Sequence, residues 1–106
     1  MIRKKSRNID ICFTPNMIDL FDYKNKKIVI IDVFRATSAM CVFLNNGGKR
    51  VFPVSSVEEA KELQQNIDSK FHLFAAERNG KIVSGFDFGN SPLLYHDKNF
   101  NNTSLI

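Results

Sequence analysis

The sequence has little of what marks several specialised classes of protein. Its 106 residues include no Trp, two Cys, three Pro and five Gly. Cys12 and Cys41 form one pair without the spacing of metal ligands, which argues against a disulfide framework and indicates a reducing, cytoplasmic compartment. No apolar run reaches the roughly 20 residues that span a bilayer, and no long apolar segment follows the basic N-terminus as in a secretory signal. We therefore expect no membrane association.

Acidic residues are also few, with 11 Asp and Glu against 15 Lys and Arg and a formal net charge of +4. The excess comes largely from two short clusters, Arg3 to Arg7 and Lys24 to Lys27, and such clusters are more often solvated faces than binding patches. No aromatic residues alternate with them to stack on bases. We expect no nucleic-acid partner, whereas a small anionic ligand fits the charge equally well.

The chain alternates between strand-like and helix-like segments. Ile9 to Phe13 predicts a short strand that ends at a turn. Ile28 to Val33, rich in β-branched residues, predicts a central strand covered on both faces. Thr37 to Leu44 predicts a helix, which Asn46-Gly47-Gly48 should end because Gly tolerates the left-handed geometry of a helix C-terminus.

The same alternation continues through the middle of the chain. Val51 to Val54 predicts a strand, and Ser55 or Ser56 should cap the helix that follows. Phe71 to Ala75 predicts another strand. Strands and helices in this order, with short connections, are typical of an α/β domain with right-handed parallel crossovers. We expect a single domain over residues 1–106.

The stretch IVIIDVFRATSAM, residues 28–40, suggests where a ligand would bind. Asp32 ends the most apolar strand, and ligands of open parallel sheets bind beyond the carboxyl ends of the strands. Thr37 and Ser38 begin the next helix, where free backbone N–H groups and the helix dipole favour an anion. Arg35 could clamp a phosphate, and a divalent cation would explain the neighbouring carboxylate. The alternative is structural: Thr37 caps the helix, and Asp32 pairs with Arg35.

A second polar cluster follows the strand FHLFA. Glu77 and Arg78 again place an acid and an arginine at a strand end, and Asp87 comes later. The segment Gly89 to Pro92 predicts a tight turn into a short helix, with Ser91 as its N-cap. A long hairpin with ordinary turn chemistry is the alternative interpretation. Two strand ends that each carry an acid and an arginine favour a shared site.

The motifs together resemble a known family. IDVFRATSAM, the helix ending in NGG, VFPVSSVEEA and AERNGKIVSGFDFGNSP occur in the order and spacing found in the 2-phosphosulfolactate phosphatase family. The resemblance runs from about Ile9 to Tyr95. It implies a three-layer α/β/α fold with a mostly parallel sheet. It also implies a Mg²⁺-dependent phosphoric monoester hydrolase that removes phosphate from 2-phospho-3-sulfolactate, a step associated with coenzyme M biosynthesis.

The resemblance assigns roles residue by residue. The catalytic candidates are Asp32, Arg35 and Glu77. The metal-ligand candidates are Asp32, Glu77 and Asp87. The candidates for binding the phosphate or other anionic groups of the substrate are Arg35, Thr37, Ser38, Arg78, Asn90 and Ser91. For Arg78, an ion pair with Glu77 or Asp87 is the alternative. An aspartyl-phosphate mechanism at Asp32 is a weak comparison, because the second aspartate expected two positions later is Phe34 here.

The sequence also departs from the family pattern. Ala76 stands where Gly is usual, and Asn79 replaces the first of two glycines, although Asn tolerates left-handed geometry. The largest departure is length: NNTSLI aligns with the strand just before the family's TTNGT motif, so we expect a fragment or a truncated product that holds only the N-terminal half of the domain. Three functions stay open: a phosphatase, an inert anion-binding relative, and an interaction domain. The oligomeric state is equally open, and a homo-oligomer is compatible with the sequence.

Overall fold

Two helices and a small parallel sheet form the centre of the structure, a computed structural model that describes residues 8–106. The helices are α1 (Ala36–Asn45) and α2 (Val57–Asn66). The strands are β1 (Arg50–Val51), β2 (His72–Leu73), β3 (Glu77–Arg78), β4 (Lys81–Ile82) and β5 (Ser104–Leu105). Short 3₁₀ helices cover Pro15–Leu20 and Pro92–Leu94. The expectation of an α/β chain with a mostly parallel sheet is confirmed.

Local signals in the sequence explain both helices. Beyond α1, Gly47 adopts a φ of +93°, and the Gly48 N–H donates to the Phe43 carbonyl at 3.0 Å, as the NGG motif predicts. At the start of α2, the Ser56 hydroxyl accepts from the Glu59 N–H at 3.1 Å, which identifies Ser56 as the cap. Within residues 8–106, no helix has the length and apolar character needed to cross a membrane.

The last strand in the chain occupies the centre of the sheet. β5 lies between β1 and β2 and runs parallel to both, with Ser104 opposite Arg50 on one side and His72 on the other. The pairing extends past the short strands, because the Ala75 N–H donates to the Ile106 carbonyl at 2.8 Å. The strand expected from the family alignment of NNTSLI is therefore present.

Consecutive residues at the end of β5 pack with different helices. Leu105 belongs to a buried cluster with Ala39 and Phe43 of α1, whereas Ile106 belongs to a second cluster with Phe74 and Ala60 of α2. Successive side chains of a strand point to opposite faces of the sheet, so the two clusters follow from the strand period of two. The aromatic rings of Phe43, Tyr95, Phe88 and Phe100 fill the first cluster.

Two strand predictions in the N-terminal part are wrong. Ile28 to Val33 forms no strand, and Val29, Ile30 and Ile31 are 79%, 74% and 79% exposed. Ile9 to Phe13 likewise forms no strand and is exposed. A strand needs neighbours that accept and donate its backbone hydrogen bonds, and among residues 8–106 neither segment pairs with another. The central place predicted for Ile28 to Val33 belongs to β5.

Candidate active site

An ion pair connects the two polar clusters that the sequence singles out. A guanidinium Nη2 of Arg35 donates to the Oε2 carboxylate oxygen of Glu77, although the two residues are 42 positions apart. The side chains are 37% and 21% exposed, so the pair is partly shielded from solvent. The alternative pairing of Arg35 with Asp32 is not the one the structure forms. The two polar clusters therefore meet at one site.

Asp32 and Thr37 organise the start of α1. The Asp32 carboxylate accepts a hydrogen bond from the Ala36 N–H at 2.9 Å. The Thr37 hydroxyl accepts from the Asp32 N–H at 2.9 Å and donates to the Asp32 carbonyl at 2.6 Å. Both residues thus satisfy backbone groups around the first turn of the helix, where donors lack helical partners.

Ser38 also directs its hydroxyl to the backbone. It donates to the Val33 carbonyl at 2.8 Å. Because the hydroxyls of Thr37 and Ser38 already donate to carbonyls, the donors left for an anion at this helix start are the backbone N–H groups of the same two residues. The first regular helical bond begins one residue later, where the Ala39 N–H donates to the Arg35 carbonyl at 3.2 Å.

A tight hairpin presents Glu77 and turns Arg78 away. β3 and β4 pair antiparallel through Asn79 and Gly80, whose φ angles of 52° and 74° suit a two-residue hairpin turn. Asn79 thus adopts the left-handed geometry expected of it. The exposed Arg78 donates to the carbonyl of Glu77 at 3.0 Å, within its own strand. Of the two adjacent charged residues, Glu77 is the one that contacts the α1 side of the site.

The Gly89-Asn90-Ser91 loop passes beside this ion pair. A Cβ atom at Gly89 would lie 3.9 Å from the Glu77 Oε2 and 3.1 Å from Ile82, so the loop approaches the hairpin closely. Ser91 precedes the 3₁₀ helix Pro92–Leu94 but makes no side-chain capping hydrogen bond. The prediction of a Ser91-capped helix start is therefore wrong: three residues form a single turn, and Leu94 N–H bonds to the Ser91 carbonyl at 3.1 Å instead.

Asn90 borders a shallow hollow at the carboxyl end of the parallel strands. The hollow has a volume of about 140 Å³. Apart from Asn90 and the Tyr95 ring, its lining is apolar and comprises Ala36, Ala39, Met40, Val51, Phe52, Pro53, Val54, Ala75, Leu105 and Ile106. Asn90 is thus the candidate site residue that lines this apolar depression, at the sheet edge where α/β proteins bind ligands.

Asp87 forms its hydrogen bond with a different part of the protein from Asp32 and Glu77. Its carboxylate accepts from the Phe74 N–H at 2.8 Å, at the end of β2. Within residues 8–106, no group of three or more His, Cys, Asp or Glu side chains is arranged to hold a metal ion. The three predicted metal ligands therefore do not form one cluster in this structure.

Sequence reasoning missed two residues that shape the site. Asn46 was expected only to end α1, yet its side chain donates to the carbonyls of Tyr95 and His96, each at 2.8 Å. Tyr95 is fully buried, and its hydroxyl donates to the Gly89 carbonyl at 2.8 Å. Burial, with the nearby Asp87 charge, raises the pKa of Tyr95 well above its usual range, so the hydroxyl keeps its proton. The sequence signal for both residues was a polar side chain within a motif, Asn46 in NGG and Tyr95 in LLY.

Comparisons with known proteins agree with these motifs. The family model described as 2-phosphosulpholactate phosphatase matches residues 12–106. A protein of Caldanaerobacter subterraneus subsp. tengcongensis, named "Probable 2-phosphosulfolactate phosphatase", is 46% identical over 88% of this chain and 39% of its own length. A protein of the same name from Clostridium tetani is 40% identical over 93% of this chain and 42% of its own length. The chain thus spans about two fifths of the length of these relatives. It belongs to the 2-phosphosulfolactate phosphatase family.

Proposed function

We propose that this chain forms part of a Mg²⁺-dependent phosphatase that hydrolyses 2-phospho-3-sulfolactate to sulfolactate and phosphate. The observation that carries the proposal is the Arg35–Glu77 ion pair, which joins both family motifs at one end of the parallel strands. The family name and the names of the relatives support the substrate class. The same proposal gives the enzyme a cytoplasmic location and a role in coenzyme M biosynthesis.

Arg35 is the residue best suited to hold the phosphate. A guanidinium carries five N–H donors in a planar fork, and the bond to Glu77 uses one nitrogen, Nη2. Nη2 keeps a second N–H, so it can still face a pair of phosphate oxygens together with Nη1 or with Nε. The side chain is 37% exposed, so a ligand can reach it. The N–H groups of Thr37 and Ser38 at the start of α1 would hold further phosphate oxygens, favoured by the helix dipole.

The carboxylates of Asp32 and Glu77 suit Mg²⁺. This ion prefers oxygen ligands and is commonly held by one or two carboxylates together with phosphate oxygens and water, rather than by a full cage of protein side chains. Asp32 and Glu77 would hold the ion, because each makes one hydrogen bond through a single carboxylate oxygen, to the Ala36 N–H and to Arg35, and keeps further acceptor capacity. When bound, Mg²⁺ would neutralise phosphate charge and polarise the phosphoryl group.

The residues of this chain would then act mainly by positioning. Phosphoryl transfer depends on alignment and charge stabilisation more than on covalent chemistry by the protein. Glu77 orients Arg35, and Asp32 orients the first turn of α1. Both acids therefore position the N–H donors that would bind the phosphate. Direct attack by water and a phospho-enzyme at Asp32 are both compatible with this arrangement.

The proposal extends to the architecture of the whole domain. Leu73 and Leu105 pack with α1, whereas Phe74 and Ile106, directly after β2 and β5, pack with α2, a pattern that supports helices on both sides of the sheet and hence a three-layer α/β/α arrangement. In that arrangement Ile28 to Val33 would be a further strand of the sheet. Asp32 would then stand at its carboxyl end, beside the other strand ends.

An anion-binding relative without turnover is the second candidate. The observation in its favour is that every candidate acid already has a partner in the protein: Ala36 N–H for Asp32, Arg35 for Glu77, and Phe74 N–H for Asp87. Such bonds hold a binding site together as well as they prepare a catalytic one. Binding of inorganic phosphate without Mg²⁺-dependent release of phosphate would identify this case.

A chimera tests the proposal in a chain of full family length. Residues 12–106 replace the matching segment of the Caldanaerobacter relative, and phosphate release from 2-phospho-3-sulfolactate is measured with and without Mg²⁺. We expect Mg²⁺-dependent turnover. A chimera that is folded by circular dichroism but inactive, beside an active parent relative, would overturn the proposal.

Two substitutions in the chimera separate the roles of the site residues. Arg35→Lys should lower kcat/KM about 100-fold, because a point charge cannot replace the planar fork, while Arg78→Lys is the matched control with an exposed arginine and should change it less than threefold. Asp32→Asn should chiefly raise the Mg²⁺ concentration needed for half-maximal rate. Near-normal turnover in both site variants would leave Arg35 and Asp32 with structural roles alone.

A further inference from the structure

We propose that Asp87 is a positioning residue that holds the Gly89-Asn90-Ser91 loop beside Arg35 and Glu77, and that it is not a metal ligand. The part of this inference that concerns substrate rests on the proposed function. The structural part stands on the hydrogen bonds of the loop. The proposal gives Asp87 a positioning role, whereas its residue type and motif had suggested metal binding.

Asp87 is joined to Phe74 by both its side chain and its backbone. The carboxylate Oδ2 accepts from the Phe74 N–H at 2.8 Å. In return, the N–H groups of Asp87 and Phe88 donate to the Phe74 carbonyl at 2.9 and 3.1 Å. Phe74 is 1% exposed, so its amide has no access to solvent as an alternative partner. These bonds attach the segment before the loop to the end of β2, and a parallel bridge between Ala75 and Phe88 continues the attachment.

Tyr95 holds the loop from the other side. Its hydroxyl donates to the Gly89 carbonyl at 2.8 Å, and its ring stacks on Phe88 at a centroid distance of 4.7 Å. Asn46 anchors Tyr95 in turn through the carbonyl of Tyr95. The loop is therefore fastened at Asp87 before it and at Tyr95 after it. Asn90, between the two, lines the hollow, as does Ala36 of α1.

The geometry of Asp87 suits this role better than metal binding. The bond to Phe74 requires an acceptor oxygen but no negative charge, and an Asn side chain offers the same oxygen. A Mg²⁺ ligand, in contrast, contributes its charge. An amide at position 87 therefore distinguishes the two roles, because it preserves a positioning bond and weakens a metal site.

Amide hydrogen exchange in the 106-residue chain provides a test that needs no activity. Asp87→Asn should leave the exchange rate of the Phe74 amide within about threefold of the parent. Asp87→Ala should raise that rate at least tenfold, since a buried donor loses its acceptor. Should Asp87→Ala not fold, Tyr95→Phe replaces it, with faster exchange expected at Asn90 and Ser91. Unchanged exchange at Phe74 in a folded Asp87→Ala chain would overturn the proposal.

The active chimera provides the second readout. Asp87→Asn should keep the Mg²⁺ concentration for half-maximal rate within twofold, whereas Asp87→Ala should raise KM for the phosphorylated substrate about tenfold at a similar Mg²⁺ requirement. A tenfold or larger rise in the Mg²⁺ requirement of Asp87→Asn would identify Asp87 as a metal ligand and refute the proposal. An inactive chimera would count against the proposed function, whereas the exchange measurement would still decide the role of Asp87.

Discussion

Residues 8–34, here called the arm, and residues 36–106, here called the body, use apolar side chains in opposite ways. The body buries Phe43 and Phe74 almost completely, at 0% and 1% exposure. The arm exposes Phe13 and Phe34 at 83% and 92%. The body has three parallel strands that satisfy each other's backbone groups, and helices that cover them. An apolar segment becomes a buried strand only when such neighbours are present.

The boundary between the two regions lies within the candidate site. Asp32 belongs to the arm, but its carboxylate and backbone bind Ala36 and Thr37 in the first turn of α1. Arg35, between the regions, pairs with Glu77 of the body. The polar groups of the site therefore attach the arm to the body, although the apolar residues before them contact little.

The largest expected difference between the regions concerns stability. Phe43→Ala should lower the free energy of unfolding by about 3–5 kcal/mol, because it leaves a cavity beside Phe100 and Tyr95. Phe34→Ala, the same change in the arm, should lower it by less than about 0.5 kcal/mol. Urea denaturation followed by circular dichroism measures both. Equal losses would show that the arm is packed in solution, contrary to this comparison.

The next largest effect concerns association of the chain with itself. Exposed apolar stretches such as Ile28 to Val33 favour association in solution. Ile30→Lys should weaken it about tenfold or more, since burying one such side chain contributes about 1.5–3 kcal/mol. Gln65→Lys adds the same charge to the exposed face of α2 and serves as the control. Sedimentation velocity over a concentration series checks this, and a monomer at all concentrations would refute it.

The smallest expected effect is a pH dependence of stability that arises within the body. Hydrogen bonds from the Ser55 N–H and hydroxyl lower the pKa of Glu59 below its ordinary value of 4.5. A lowered folded-state pKa contributes stability that is present above 4.5 and is lost as the pH falls through the folded value. Glu59→Gln should therefore be slightly less stable than the parent at pH 7, and this difference should vanish in acid.

The matched control for this pH effect is Glu58→Gln. It removes a charge from the same turn of α2 without removing the bonds to Ser55. Denaturant midpoints between pH 3 and pH 7 give the comparison. A difference between Glu59→Gln and the parent that stays constant over this range would contradict the assignment.

Local features of the fold were predictable from the sequence, whereas distant partners were not. Ser56 and the NGG motif carry the information for the ends of α2 and α1 in a few adjacent residues. The predicted strand Ile28 to Val33 failed because burial depends on neighbours that the segment itself does not specify. The position of β5 between β1 and β2 depends on pairings across more than half of the chain.

The candidate site was likewise predictable in its local features and not in its distant partners. That Arg35 and Glu77 lie together could be inferred, because both were expected to follow strands of one sheet, although Ile28 to Val33 forms no strand in this structure. That Arg35 pairs with Glu77 and not with its neighbour Asp32 could not, since the choice depends on the β3–β4 hairpin and the loop beside it. Asp87 was assigned by its residue type alone, and its bond to Phe74 became visible only once both strands were in position.

The central position of β5 has a consequence for how the body folds. Among residues 8–106, β1 and β2 do not pair with each other, and each pairs with Ser104 and Leu105. The first sheet pairing therefore requires closure of a loop from residue 72 to residue 104, and the complete sheet requires closure from residue 50 to residue 104, so the chain loses loop entropy before the sheet contacts compensate for it. Helices α1 and α2 can form early from local signals, but they have no completed surface to pack on until then. Folding of the body should thus be slow for its size and rate-limited by the arrival of one two-residue strand.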